Sequence, residues 1–171
     1  MNLFYEVKRF GPGPVFLMLH GFTGTHQTFD EMLEYLSFGT VILPDLPGHG
    51  KSVSKDLADY SLKETEKALL AIFEAECPGE KPVVLGYSMG GRIALALVAD
   101  YPDAFSGLVL ISSSPGLSSE KERRLRREKD AHWVDLLRTS GINCFVQNWE
   151  RLALFESQRE LPVSSQKKNS S

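Results

Sequence analysis

Pro82-Val83-Val84-Leu85-Gly86-Tyr87-Ser88-Met89-Gly90-Gly91 is a short apolar strand running into G-x-S-x-G, with a helix-forming stretch, Arg92 to Asp100, behind it. A strand, a strained turn and a helix in that order make a nucleophile elbow, which lifts a serine hydroxyl to the end of a sheet. Gly86 and Gly90 belong to it because side chains there would collide with the neighbouring strand and helix. Ser88 is therefore the candidate nucleophile. Its activation needs a base within hydrogen-bond reach and an acid to orient that base. Elbow serines are followed along the chain by the acid and then the histidine. After Ser88 the only histidine is His132, and the chain given ends at Ser171.

Working outward, Val15-Phe16-Leu17-Met18-Leu19 and Val41-Ile42-Leu43 are unbroken apolar runs, the mark of parallel strands buried on both faces. Leu3 to Val7 reads as an edge strand, and Leu108 to Ile111 as a further strand after the elbow helix, which is expected to reach about Tyr101. Phe29, Met32, Leu33 and Leu36 recur at helical spacing. Ser61 with Glu64 has the form of a capping box ahead of Leu62, Leu69, Ile72 and Phe73, and Cys77-Pro78-Gly79 stops that helix. Strands alternating with helices imply an open, mostly parallel sheet. Ligands of such sheets bind beyond the carboxyl ends of the strands, where Phe22, Asp45, Ser88 and Ser112 to Ser114 are expected.

Beyond Gly116 the pattern changes. Residues 118–138 are charge-dense with a sparse apolar stripe, and residues 142–156 are amphipathic through Ile142, Phe145, Val146, Trp149, Leu152 and Ala153. Two helices with no strand between them predict the start of a helical cap. The expected organisation is a core over 1–115, a cap segment over 116–160 and a disordered polar tail over 161–171.

Composition narrows the function classes. The 171 residues are 42% hydrophobic, enough for one domain with a real core. A net charge of −3 gives no general attraction to nucleic acid or to an anionic membrane. No basic, apolar leader opens the chain, and no stretch approaches the roughly 20 apolar residues that span a bilayer. Cys77 and Cys144 form no C-x-x-C pair and read as ordinary half-buried thiols. A soluble, cytoplasmic protein is the expectation. The four histidines have no metal-ligand spacing, and Lys51-Ser52 lacks the upstream glycines of a phosphate loop, so neither metal nor cofactor is expected.

His20-Gly21-Phe22 follows the Val15–Leu19 strand, where the second donor of an oxyanion hole belongs. The backbone N–H groups of Phe22 and Met89 are assigned to that hole. His20 is expected to hold the turn through its ring nitrogens. Asp45 and His49, in Asp45-Leu46-Pro47-Gly48-His49-Gly50-Lys51-Ser52, mimic a base and its orienter, but precede the elbow and read as turn-forming residues. Arg92 falls on the first turn of the elbow helix. A guanidinium there suggests a substrate carboxylate, which its planar fork pairs bidentately. Arg123-Arg124-Leu125-Arg126-Arg127 reads mainly as a solvated face, with one or two arginines available for an anion.

His20-Gly21-Phe22-Thr23-Gly24, Asp45 to Ser52 and Gly86 to Arg92 together resemble the α/β-hydrolase superfamily. With Arg92, Arg126, Trp149 and the stretches Phe145 to Glu150 and Phe155 to Gln158, the wider pattern resembles its menaquinone-pathway branch, the 2-succinyl-6-hydroxy-2,4-cyclohexadiene-1-carboxylate synthases. That branch is a lyase on a hydrolase fold: a Ser-His-Asp triad abstracts a proton and pyruvate is eliminated without an acyl-enzyme. The resemblance implies Ser88 as the proton-abstracting residue and backbone donors at Phe22 and Met89. It also implies contacts from Tyr87, Arg92, Arg126 and Trp149 to a small polycarboxylate substrate.

Nothing after the cap matches the family's acid and histidine, and about 90 to 100 further residues would complete a domain of this kind. The expectation is therefore an α/β-hydrolase fold lacking its last strands, impaired as a catalyst and able to self-associate through an unpaired sheet edge. Two other readings stay open: a capped carboxylesterase or lipase-like serine hydrolase, and a non-catalytic module that keeps the sheet for binding.

Overall fold

Five strands form one sheet in the order β1-β3-β2-β4-β5 in the structure, a computed structural model that describes residues 1–152. The strands are β1 (Tyr5–Arg9), β2 (Val15–Leu19), β3 (Thr40–Pro44), β4 (Val83–Tyr87) and β5 (Gly107–Ile111). β1 runs antiparallel to β3, while β3, β2, β4 and β5 are parallel neighbours. β2 is central because it can be: Leu17 and Leu19 are fully buried and Met18 nearly so, so both faces are covered. Fully burying one such side chain contributes about 1.5–3 kcal/mol.

One core cluster joins Leu17, Leu19, Ile42 and Val84 to Leu69, Ile72 and Phe73 of α2 (Leu62–Glu76) and Ala94 and Leu97 of α3 (Met89–Asp100). A second gathers Met18, Val41, Leu43 and Leu85 with Phe29 and Leu33. Residues 26–36 contribute to it through a short 3-10 turn, His26–Phe29, and a single turn α1 (Asp30–Leu33), less helix than the apolar spacing predicts. β1 also lies two residues later than expected and its register ends at Arg9 opposite Thr40.

The Ser61 hydroxyl accepts the N–H of Glu64, but the reciprocal half of the expected capping box is absent. The Glu64 carboxylate instead takes the Lys67 ammonium at 2.6 Å, one turn on. Cys77 and Cys144 are both free and half-buried.

The described residues divide into two compact units, Met1–Pro115 and residues 116–152. The second holds α4 (Glu120–Trp149), a helix opened by a full capping box between Ser119 and Glu122. The two expected helices are both present, separated by a kink at Gly141, whose φ of 77° and ψ of 173° only glycine adopts readily. The last residues of the expected 142–156 helix and the whole 161–171 tail lie outside the described residues. No helix among the described residues is long and apolar enough to cross a membrane.

Candidate active site

The elbow forms as its glycines predict. Ser88 holds φ 53° and ψ −109°, a conformation a non-glycine residue adopts only when the surroundings impose it. Those surroundings are steric. A Cβ on Gly86 would sit 2.5 Å from the Gly91 Cα, and one on Gly90 would strike the carbonyl oxygens of Leu19 and His20. The missing side chains let α3 lie directly on β4 and β2, and Ser88 turns sharply to enter it.

β5 clamps the turn. The Ser88 N–H donates to the Ile111 carbonyl at 2.9 Å, and the Ser113 hydroxyl donates to the Ser88 carbonyl at 2.9 Å. Thr23, Ser88 and Ser112 are the described non-glycine residues with positive φ, and each follows the carboxyl end of a parallel strand. Backbone strain therefore gathers where the fold positions its candidate chemistry. Gly21 lies so close that a Cβ would meet the Tyr87 ring at 2.8 Å and the Ser88 Cβ at 3.4 Å. Phe22 is the next residue after Gly21, and Met89, the first residue of α3, directly follows Ser88. Tyr87 is half-buried and packs against the second core cluster, so its ring has a structural load as well.

Arg92 is exposed on the first turn of α3, its N–H bonded to the Ser88 carbonyl at 3.3 Å, and no described acidic residue pairs with its guanidinium. The positive end of the helix backbone points the same way. The residues expected from the cap belong to the second unit and make contacts within it. Arg126 pairs with Asp130 at 2.8 Å on the solvated face of α4. Trp149 stacks on Phe145 and meets Trp133 edge-on within the second unit. His132 is exposed on α4 beside Trp133.

His20 is fully buried and fully engaged: Nδ1–H donates to the Gly21 carbonyl at 2.8 Å, and Nε2 accepts the Leu46 N–H at 2.9 Å. Burial lowers its pKa to about 4, so the ring is neutral at neutral pH, and with both nitrogens committed it offers no free acceptor to Ser88. His49 is likewise pushed down by burial and rests edge-on against Phe22. Asp45 does not orient His49. Its carboxylate accepts the N–H groups of His26 at 2.7 Å and Lys51 at 2.9 Å, and the His26 ring at 2.8 Å. Burial alone would raise the Asp45 pKa, but these donors, Lys51 first, hold it below the usual carboxylate value. The His26–Asp45 pair was not foreseen, because 19 residues separate the partners and neither sits in a recognisable spacing. Among the described residues no histidine or carboxylate hydrogen-bonds the Ser88 hydroxyl, and no group of His, Cys, Asp and Glu could hold a metal.

A strained serine elbow on a mostly parallel sheet defines an α/β hydrolase. The chain belongs to that family, whose profile, described as alpha/beta hydrolase fold, matches residues 14–143. A Bacillus subtilis protein, provisionally named a 2-succinyl-6-hydroxy-2,4-cyclohexadiene-1-carboxylate synthase, is 36% identical over 160 residues, covering 92% of this chain and 58% of that one. The solved structure of MenH from S. aureus superposes with a TM-score of 0.83 at 31% identity, over 98% of this chain and 65% of that one. A thermophilic esterase from Thermogutta terrifontis, solved with malate bound, gives a TM-score of 0.76 at 27% identity, over 98% and 60%. The chain thus spans about three-fifths of the length of these relatives.

Proposed function

We propose that this chain is the serine-bearing part of a pyruvate-eliminating lyase acting on a small polycarboxylate, of the kind named in its B. subtilis relative. The observation that carries the reading is Arg92: an exposed guanidinium without a described acidic partner, one helical turn from the Ser88 elbow. A neutral ester has no use for it there, whereas a carboxylate gains a charge-assisted, bidentate contact.

Ser88, once deprotonated by a histidine, takes the proton from a substrate carbon. The electron pair left behind moves through the substrate and breaks the C–O bond to the three-carbon enol ether, which departs with that oxygen as the pyruvate enolate and takes up a proton to become pyruvate. The N–H groups of Phe22 and Met89 stabilise the negative charge that develops on a substrate oxygen. Tyr87, Arg126 and Trp149 line the substrate in the complete enzyme. This reading assigns the histidine and its acid to residues outside the described ones. General-base assistance is worth about 10²–10⁴-fold.

The test joins this chain to the remaining portion of the S. aureus relative and follows pyruvate release and neutral ester hydrolysis. Pyruvate release from the polycarboxylate, falling 10- to 150-fold in Arg92→Ala and only partly restored in Arg92→Lys, supports the lyase; charge-assisted contacts of about 1.5–3 kcal/mol set that range. Ester hydrolysis without pyruvate release, and indifferent to Arg92, favours the second reading, a carboxylesterase, which the Thermogutta neighbour supports.

A further inference from the structure

The backbone between β2 and the 3-10 turn His26–Phe29 carries Phe22, and both of its ends are fastened to one dipeptide. At the near end, His20 Nε2 accepts the Leu46 N–H at 2.9 Å. At the far end, Asp45 takes His26 twice through a single carboxylate oxygen, Oδ1: the backbone N–H at 2.7 Å and the ring Nδ1–H at 2.8 Å. The His26 ring is buried edge-on to Phe4, and its Nε2 lies 3.5 Å from Glu6 Oε1 on β1. Asp45 is fully buried and its other oxygen holds the Lys51 N–H, so the anchor is itself fixed.

What these contacts restrain is a peptide plane. The Gly21 carbonyl accepts two donors, His20 Nδ1–H at 2.8 Å and the Gly24 N–H at 3.1 Å. That carbonyl shares a trans peptide with the Phe22 N–H, so holding the oxygen on one side aims the N–H to the other. Gly24 is pressed between the two ends of the loop: a Cβ there would lie 2.6 Å from Thr28 Oγ1 and 3.3 Å from His20 Cβ. Thr28 Oγ1 also accepts the Thr25 N–H at 3.2 Å, in the same 3-10 turn that His26 opens. Thr23, between Phe22 and Gly24, has φ 67°, a conformation that persists only where its surroundings impose it. The contacts thus run without a gap from His26 through Thr28 and Gly24 to Gly21. We propose that His26, through its double bond to Asp45 Oδ1, is a positioning residue for the oxyanion donor at Phe22. The inference rests on the reading of the Phe22 N–H as that donor. It holds for a lyase or an esterase alike, because either reaction builds negative charge on a substrate oxygen.

Three substitutions separate the ring nitrogens. An asparagine amide reaches the place of His26 Nδ1, a glutamine amide that of Nε2, and phenylalanine keeps a ring without a donor. In NMR spectra of the chain as it stands, the Phe22 and Thr23 amide signals should shift or broaden in His26→Phe and His26→Gln, and return in His26→Asn. Joined to the remaining portion of the S. aureus relative, His26→Phe should lower kcat about 10- to 10²-fold at unchanged KM, for whichever of pyruvate release or ester hydrolysis the protein shows. That is short of the roughly 10²–10³-fold cost of losing a donor outright. His26→Asn should recover most of it. Phe22 and Thr23 signals that stay in place in folded His26→Phe, an unaltered kcat, an effect on KM instead of kcat, or rescue by His26→Gln in place of His26→Asn each overturn the proposal. Ester hydrolysis without pyruvate release refutes the lyase reading and leaves this one standing. If the variants misfold or the joined protein is inactive, backbone relaxation of the unmodified chain decides. Order parameters of about 0.85 at Phe22 and Thr23 support a held donor, and values below about 0.6 overturn it.

Discussion

His20 offers the sharpest physical test of the core beneath the elbow. The ring is buried and neutral, with both nitrogens committed, and its pKa falls from 6.5 to about 4 because burial penalises the charged form. A folded-state pKa below the unfolded value means that the unfolded chain binds the proton more readily. The contribution is therefore fully present above pH 6.5 and is lost as pH falls through the window from 6.5 to about 4. At 1.36 kcal/mol per pH unit this amounts to about 3 kcal/mol. Urea unfolding of the wild type and His20→Gln across pH 4 to 8 measures it. The glutamine amide can keep one or both hydrogen bonds but cannot titrate. The wild-type advantage over His20→Gln should therefore shrink by about 3 kcal/mol between pH 7.5 and pH 4. Asp45 and His49 also titrate, but they are common to both proteins and cancel in the difference. An identical pH dependence in the two proteins, or a folded-state His20 ring that titrates near 6.5 by NMR, would refute the reasoning.

Gly90→Ala forces a Cβ into the Leu19 and His20 carbonyls; a loss of about 3 kcal/mol or more is expected, read as a lowered unfolding midpoint or insoluble expression. Asp45→Asn turns one acceptor into a donor facing the N–H of His26 or Lys51, and thermal unfolding should show a loss of about 2–4 kcal/mol, larger than for an exposed Asp103→Asn. Ser113→Ala removes the hydroxyl that holds the Ser88 carbonyl; about 1 kcal/mol of stability should go, and Ser113→Thr should restore part of it.

Much of this molecule is readable from local chemistry. The buried strands β2, β3 and β4 are continuous apolar runs, and that pattern needs no knowledge of neighbours. The elbow is legible because glycine at 86 and 90 is a steric requirement tied to fixed spacing about Ser88. The role of His20 followed from its place directly after β2. Local signals were weaker at the margins. Residues 26–36 have helical spacing but spend it on a 3-10 turn and one turn of α-helix. Glu64 matches a capping box yet takes Lys67, while the Ser61 N–H donates to the Ala58 carbonyl. In both places a tertiary or side-chain partner outweighed an intrinsic preference of a few tenths of a kcal/mol.

The sequence by itself thus determined the sheet's interior, the serine turn and the arginine beside it, because each depends on residues within a turn or two of one another. Tertiary structure alone decided the partner of Asp45, the clamp of Ser113 on Ser88, and the place of β1 beside β3 at an edge of the sheet. Those features join residues 19 or 25 positions apart, or depend on which strand ends the sheet. Sequence spacing carries no distance information at that range; only the packing of parallel strands brings their carboxyl ends, and the side chains that follow them, to one place.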